Sequence, residues 1–211
     1  MTTAVRDDRA AVRRRLRAER REIPADLRDA AAAAVAANLA RLGLPKPGTR
    51  VAAYLPMDGE LDPAPALSLA RRRGCDLFLP VVTRFSRRSM RFSRLGAGAA
   101  MRRNRWGIFE PDRPGINGRW LDLALVPCVA FDASGERLGM GAGFYDRHFS
   151  FLKHRSAWRR PRLLGLAYEF QRTSGIDVRP WDVPLWGVVT ELGVYGRAAE
   201  FLRRTTTETA E

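Results

Sequence analysis

Hydrophobic positions in the first 42 residues recur at helical spacing and predict two helices. In the first helix, Val12, Leu16 and Ile23 keep an approximate helical period. Pro24 separates this helix from a second, which Gly43 ends. The apolar face of the second helix consists of Leu27, Ala31, Val35, Leu39 and Leu42.

From residue 50 onwards, short apolar runs alternate with amphipathic segments, which is the pattern of an α/β protein. Helices are predicted for residues 62–74 and 144–153, and residues 84–95 alternate weakly enough to indicate an edge hairpin. Strands are predicted for residues 50–57, 75–82, 121–131, 161–168 and 185–191.

The predicted strand at 121–131 is apolar throughout, which is typical of a strand buried on both faces of a parallel sheet. We therefore predict a single α/β domain over residues 1–202, with a mostly parallel sheet, helices on both faces and two N-terminal helices. Residues 203–211 lack large apolar side chains, and we predict that this tail is disordered.

The net charge of +14 would suit an anionic partner. Only Lys46 and Lys153 are lysines, however, so nearly all of the 37 basic residues are arginine, a bias that coding preference explains equally well. We find neither a nucleic-acid-binding motif nor aromatic residues interleaved with the basic ones, and we therefore expect no nucleic-acid partner. A basic nucleic-acid-binding protein remains the alternative from a different functional class.

No apolar run approaches the roughly 18 residues of a membrane span, and the charged N-terminus lacks the apolar centre of a secretory signal. We expect a cytoplasmic monomer without a membrane partner. Cys75 and Cys128 lie in strand-like runs, which favours reduced, buried thiols. Because His148 and His154 are the only histidines, a histidine-rich metal site is not expected.

The segment RLGMGAGFYDR, residues 137–147, places three glycines at alternate positions between two arginines. It matches neither the dinucleotide fingerprint nor the P-loop, but it contains the parts of a phosphate site. Small residues let backbone N–H groups approach an anion, and a helix is predicted to begin directly afterwards. Arg137 offers a planar guanidinium and Asp146 a carboxylate suited to magnesium. A tight strand-to-helix turn with a surface Asp–Arg pair is an alternative of equal weight.

Five segments, in the same order along the chain, resemble the 5-formyltetrahydrofolate cyclo-ligase family. The glycine segment, with GE directly before it and LVPCVAFD further upstream, is the most specific of them. The other four segments are RRRLRAERR at 13–21, YLPMDGELD at 54–62, RWGIFEP at 105–111 and WDVPLWGVVTE at 181–191.

This resemblance implies a ligase that uses ATP and Mg²⁺. In the family, ATP phosphorylates the formyl oxygen of 5-formyltetrahydrofolate, and N10 then attacks the activated carbon. Ring closure with loss of phosphate gives 5,10-methenyltetrahydrofolate, ADP and phosphate. Phosphoryl transfer requires mainly positioning and charge neutralisation from the protein, and the glycine segment suits that task. A relative that binds folate or nucleotide without turnover is the second alternative.

The resemblance also implies the nucleotide side of the site. Arg13 and Arg17 share one helix face and would contact ATP phosphates, unless that face is simply solvated. Asp146 and Asp182 would hold Mg²⁺, although Asp182 also suits a turn. The rest of the nucleotide site would be Arg137, Leu138, Gly139, Met140, Gly141, Ala142, Gly143, Phe144 and Tyr145. The catalytic residues would be Arg137, Tyr145 and Asp146.

On the folate side, the resemblance implies an apolar slot for the pterin and benzoyl rings, formed by Leu55, Met57 and Trp106. Glu60 would accept hydrogen bonds from the pterin N–H groups. Core packing is the alternative for Met57 and Trp106, and a solvated loop acid is the alternative for Glu60. The residues that would complete the wall of the slot are Met140, Phe144 and Tyr145.

Overall fold

A computed structural model describes residues 8–82, 90–96, 98–104, 107–155 and 160–208, with only the backbone for 206–208. Helix α1 spans Arg9–Arg21 and helix α2 spans Ala25–Arg41, so the two predicted N-terminal helices lie on either side of Pro24. The Asp8 carboxylate caps α1 by accepting a hydrogen bond from the backbone N–H of Ala10 at 3.0 Å.

Eleven strands are described, and seven of them form the central sheet in the order β11-β10-β9-β6-β1-β2-β3. The interior pairs of this sheet are parallel, whereas β3 and β11 run antiparallel at its two edges. The strands of the central sheet are β1 Arg50–Ala52, β2 Asp76–Val82, β3 Met90–Arg94, β6 Leu123–Pro127, β9 Arg162–Leu166, β10 Gly187–Val189 and β11 Val194–Tyr195.

Two small antiparallel ribbons accompany the central sheet. One pairs β4 Met101–Arg103 with β5 Phe109–Pro111, and the other pairs β7 Ala130–Phe131 with β8 Arg137–Leu138. The second ribbon matters for function because β8 leads directly into the glycine segment. The Asp132 carboxylate holds its turn by accepting hydrogen bonds from the backbone N–H groups of Ser134 and Glu136.

Apolar side chains fill both faces of the sheet with the alternation that a pleated strand imposes. On β6, Leu123 and Leu125 pack with α2, whereas Ala124 and Val126 face the opposite layer, which contains α4. The first layer also includes α3 Ala64–Arg72 and α5 Arg197–Glu208, and the second includes α4 Phe144–Phe149. The prediction of a mostly parallel sheet with helices on both faces is therefore confirmed.

Several element boundaries differ from the prediction. The strand predicted for 50–57 ends at Ala52, and the run at 121–131 divides into β6 and β7 around Cys128. After β1, Ala53 and Tyr54 remain in the same core cluster as Val51, whereas after β6 the residues Val129 and Ala130 pack against α1. The helix predicted for 144–153 continues beyond Phe149 as a 3₁₀ turn over Ser150–His154.

The C-terminal segment also corrects the prediction. Residues 203–208 belong to α5 and are not disordered, because Phe201 and Leu202 anchor that helix on the core. Residues 209–211 lie outside the described residues. Of the predicted edge hairpin, only β3 is described, and it pairs antiparallel with β2. No helix in the described ranges is both long enough and apolar enough to cross a membrane.

Candidate active site

The carboxyl ends of β1 and β6 lie side by side at the centre of the sheet, and the chain leaves them in opposite directions. From β1 it continues to β2 on one side, and from β6 it continues to β9 on the other. Such a reversal of strand order leaves a crevice, in which α/β proteins bind their ligands. A cavity of about 370 Å³ opens at this point.

The cavity is lined by segments that lie far apart along the chain. Charged side chains come from α1, the loop after β1, β8, α4 and the segment before β10, and apolar side chains come mainly from the loop after β1, from β2, from β3 and from the start of β5. The charged and polar lining includes Arg9, Arg13, Glu60, Asn104, Arg137, Asp146 and Asp182. The apolar lining includes Leu55, Met57, Leu79, Pro80, Val82, Met90, Ile108, Phe109 and Trp181.

Arg137 and Asp146 form a buried ion pair at the wall of the cavity. Arg137 Nη2 lies 2.7 Å from Asp146 Oδ1, and the two side chains are only 5% and 17% exposed. The alternative of a surface Asp–Arg pair beside a tight turn is therefore wrong for these two residues. Arg137 Nε is buried and has no hydrogen-bond partner among the described residues. Since a buried donor without an acceptor costs free energy, this atom suits an anionic oxygen from a ligand.

The glycine segment follows β8 and passes over the arginines. Arg13 Nε donates to the carbonyl oxygen of Gly139 at 2.8 Å. A Cβ on Gly139 would lie 3.0 Å from Arg137 Nη1, and Gly141 has a φ of +102°, which side chains rarely adopt. Glycine at these two positions therefore keeps the backbone beside the guanidinium groups, as a phosphate site requires.

The α1 arginines that line the cavity are Arg9 and Arg13. Arg17 does not belong to the lining and instead pairs with Asp58, with Arg17 Nε 2.6 Å from Asp58 Oδ2. Sequence reasoning missed Arg9, although Arg9 precedes Arg13 by the same four-residue spacing that separates Arg13 from Arg17. The four-residue spacing could have indicated Arg9, but spacing alone does not say whether Arg9 and Arg13 or Arg13 and Arg17 line the cavity.

Asp182 lies beside this group and pairs with Arg9, with Arg9 Nη1 2.8 Å from Asp182 Oδ2. Burial opposes ionisation of this carboxyl. The hydrogen bonds from the Arg9 side chain and the Arg179 backbone outweigh that effect, and the pKa of Asp182 lies below its usual value. The adjacent backbone N–H of Val183 donates to Asp146 Oδ1 at 3.2 Å, so the structure brings both predicted metal ligands to one wall.

The carboxylates of Asp146 and Asp182 suit a magnesium ion that is bound together with substrate phosphates. Within the described ranges, no three His, Cys, Asp or Glu side chains group together as a metal site. Each carboxylate is also already neutralised by an arginine. Mg²⁺ commonly binds one or two carboxylates together with substrate phosphates and water, and this donor set suits that mode rather than a cage made by protein alone.

Glu60 is the acid of the loop that follows β1, and it is only 7% exposed. Its Oε2 atom accepts a hydrogen bond from the backbone N–H of Met57 at 3.2 Å. Burial raises the pKa of Glu60 to about 7, against the opposing charge of Arg20. Glu60 is therefore not a solvated loop acid. It borders the main cavity and also a neighbouring cavity of about 320 Å³.

The remaining predicted residues divide into three groups. Leu138 is buried against α1 and does not belong to the cavity lining. Trp106 lies outside the described residues, while Ile108 and Phe109 of the same sequence segment line the cavity. Met57 lines the cavity and is exposed, so it is not a core residue. The other predicted lining residues found there are Leu55, Gly139, Met140, Gly141, Ala142, Gly143, Phe144 and Tyr145.

Buried side chains fix the loops around the cavity. Arg20 is fully buried, and its Nε donates to the carbonyl oxygen of Asp58 at 2.8 Å. The Asp58 carboxylate also pairs with Arg17, Arg20 and Arg21, so one acid ties α1 to the loop that carries Glu60. These residues lie in the segments at 13–21 and 54–62, but the sequence of those segments does not indicate that they pair.

The loop after β6 is supported from the other side. Gln171, which is buried, donates through Nε2 to the carbonyl oxygens of Cys128 and Val129, each at 2.8 Å. Cys128 is a free, buried thiol, as Cys75 is, which confirms the prediction for both. Burial raises the pKa of Cys128 to about 12, so this residue lines the cavity as an uncharged group.

Together, the fold and the cavity define an α/β ligand-binding domain whose site joins arginines, carboxylates and an apolar wall at a strand-order reversal. The family model described as 5-formyltetrahydrofolate cyclo-ligase family matches residues 5–191. The chain belongs to this family, and its enzyme class is that of a cyclo-ligase.

Individual relatives agree with this assignment. The chain is 36% identical over 148 residues to the 5-formyltetrahydrofolate cyclo-ligase of Escherichia coli K12, covering 69% of this chain and 79% of that one. It is 29% identical over 177 residues to the enzyme of Mycolicibacterium smegmatis, covering 81% and 87%. The solved 5,10-methenyltetrahydrofolate synthetase of Aquifex aeolicus superposes with a TM-score of 0.72 at 30% identity, covering 89% and 92%.

Proposed function

We propose that the protein converts 5-formyltetrahydrofolate into 5,10-methenyltetrahydrofolate, using ATP and Mg²⁺ and releasing ADP and phosphate. The observation that carries this proposal is one continuous cavity. It joins the arginines and the glycine segment on one side to Glu60 and an apolar wall on the other. A polyanion and a flat, donor-rich ring therefore have adjacent places at a single site.

On the nucleotide side, the protein supplies charge and position. Arg9, Arg13 and Arg137 face the triphosphate, and the unpaired Nε of Arg137 donates to a phosphate oxygen. Asp146 and Asp182 would hold Mg²⁺, which neutralises phosphate charge when it is bound. Preorganised charge of this kind is most of what phosphoryl transfer requires of a protein.

On the folate side, the protein orients the substrate. Met57 and Phe109 present apolar surface to the rings, and the Glu60 carboxylate accepts hydrogen bonds from ring N–H groups. The formyl oxygen then faces the γ-phosphate. The formyl oxygen attacks the γ-phosphorus as ADP leaves, and N10 then attacks the formyl carbon and loses its proton. The C–O bond of that carbon breaks, so the oxygen leaves with the phosphoryl group as inorganic phosphate and the carbon remains as the methenyl bridge.

A coupled assay tests this proposal. Purified protein is mixed with 5-formyltetrahydrofolate, ATP and Mg²⁺, and methenyl-folate absorbance and ADP release are followed together. We expect both products to appear in equal amounts, and Arg137→Ala to lose most of the activity. Asp112→Asn, which alters a largely exposed acid away from the cavity, serves as the matched control.

Two results would contradict the proposal. Binding of both ligands without any product would show a relative that does not turn them over. Tight RNA binding that falls steeply with salt, without folate-dependent ADP release, would show a nucleic-acid-binding protein instead.

A further inference from the structure

Large apolar side chains are exposed at nine positions in the described part of the chain, and three of these residues line the cavity. Met57 and Phe109 lie on the side that we assign to folate. The third residue, Trp181, is 67% exposed and immediately precedes Asp182, which pairs with Arg9 of α1. The Trp181 indole therefore lies beside the charged end of the cavity. The proposed function places folate at the other end, so this apolar side chain is not needed for the folate rings.

The backbone around Trp181 is held in place on both sides. Asp182 Oδ2 accepts from the backbone N–H of Arg179 at 2.9 Å, and the Arg9 guanidinium donates to the carbonyl oxygen of Asp177 at 2.6 Å. The Lys153 ammonium donates to the carbonyl oxygen of Pro180. The segment is thus fixed, while its largest side chain remains uncovered.

An exposed indole on a fixed backbone beside a polyphosphate site has a clear chemical use. A nucleoside triphosphate carries a flat base, and bases stack on aromatic side chains through their π-faces. Isolated exposed apolar residues are common on proteins, and Trp120 is an example in this chain, since it is exposed but lies outside the cavity lining. Trp181 differs because it belongs to the cavity wall and adjoins the Arg9–Asp182 pair.

We infer that Trp181 is the base-binding residue of the nucleotide site and stacks on the purine of ATP. This inference rests on the proposed function, because it requires the triphosphate to lie against Arg9, Arg13 and Arg137. It adds a contact that the phosphate-binding residues cannot supply, since they do not recognise a base.

The test separates the base from the phosphates. Isothermal titration measures the binding of a non-hydrolysable ATP analogue and of inorganic tripolyphosphate, each with Mg²⁺. The proteins are the wild type, Trp181→Ala, Trp181→Phe, Trp181→Leu and the control Trp120→Ala. We expect Trp181→Ala to weaken analogue binding about tenfold and to leave tripolyphosphate binding within about twofold. Trp181→Phe should keep most of the affinity, because it keeps a flat ring.

The leucine variant guards against a purely structural effect, since it preserves apolar bulk without a π-face. Analogue binding as tight in Trp181→Leu as in the wild type would overturn the inference, as would equal losses for the analogue and for tripolyphosphate. Analogue binding by a wild type that forms no methenyl-folate would refute the proposed function alone. A wild type that binds no analogue would refute both.

Discussion

The guanidinium of Arg137 and the carboxylate of Asp146 share a hydrogen bond of 2.7 Å inside the cavity. The same carboxylate oxygen accepts from the backbone N–H of Val183, which leaves Asp146 Oδ2 as the atom best placed for a metal ion. Under the proposed function, this one acid would orient the arginine that faces phosphate and would also offer an oxygen to Mg²⁺.

Asp146→Asn should lower magnesium-dependent turnover much more than folate binding. The amide keeps the shape but removes the negative charge, and losing even an indirect metal partner commonly costs about 10–100-fold in activity. The measurement is kcat as a function of Mg²⁺ concentration, with folate affinity obtained by direct titration. Equal losses of turnover and of folate affinity would mean that Asp146 has been given the wrong role.

The two ends of the arginine face on α1 should behave differently. Arg9→Ala should raise KM for ATP about tenfold or more, because a hydrogen bond to a charged group contributes about 1.5–3 kcal/mol. Arg17→Ala should change it by less than about threefold, since Arg17 pairs with Asp58 outside the cavity lining. Arg15→Ala, at a surface pair, is the matched control. A larger effect of Arg17 than of Arg9 would restore the sequence-based assignment.

The titration of Glu60 predicts a pH dependence of folate affinity. With a pKa of about 7 in the free protein, Glu60 is mostly neutral at pH 6 and mostly ionised at pH 8. The ionised form accepts hydrogen bonds better, so KM for folate should fall as pH rises through 7. Glu60→Gln should flatten this profile and leave KM for ATP unchanged. An unaltered profile in the variant would exclude Glu60 as its source.

The contribution of Glu60 to folding stability should fall with rising pH, whereas folate affinity should rise. Because its pKa is raised, folded Glu60 binds a proton that the unfolded chain releases between pH 4.5 and 7. The Glu60 contribution to the free energy of unfolding therefore declines over that interval, by about 2–3 kcal/mol. Denaturation of Glu60→Gln should show a smaller decline over this pH range than the wild type.

Asp58→Asn should destabilise the fold strongly. It would remove the carboxylate that faces the fully buried Arg20, and breaking a buried pair costs about 3–5 kcal/mol. Asp76→Asn breaks the exposed pair with Arg94 and should cost less than about 1 kcal/mol. Urea denaturation of both variants checks the difference. Similar, small losses would show that Arg20 is supported mainly by the backbone oxygens.

Periodicity and turn residues were enough to predict the class of fold, because the sheet and helices depend on local alternation. Boundaries were less accurate where apolar residues leave the sheet. Val129, for example, continues the apolar run of β6 but packs against α1 beyond the sheet. Composition also misled at 203–208, where a polar sequence extends a helix that is anchored by the preceding turn.

The candidate site could be predicted only where its residues are consecutive. The glycine segment brings Arg137 and Asp146 within one short stretch, and both proved to line the cavity. Whether Arg9 or Arg17 lines the cavity depends on Asp58, which pairs with Arg17. Asp58 is distant in sequence, and the sequence does not distinguish it from any other acidic residue in a loop. The burial of Glu60 likewise depends on tertiary packing, which a residue pattern does not contain.

The Asp58 cluster has a consequence for the order of events on the protein. One carboxylate joins the helix that carries Arg9 and Arg13 to the loop that carries Glu60, so a shift of either element would strain the same ion pairs. Under the proposed function, binding of one substrate would then raise the affinity for the other, and linkage requires the two affinities to rise by the same factor. The enzyme would in this way favour the ternary complex over complexes with one substrate, in which ATP could be hydrolysed without forming product.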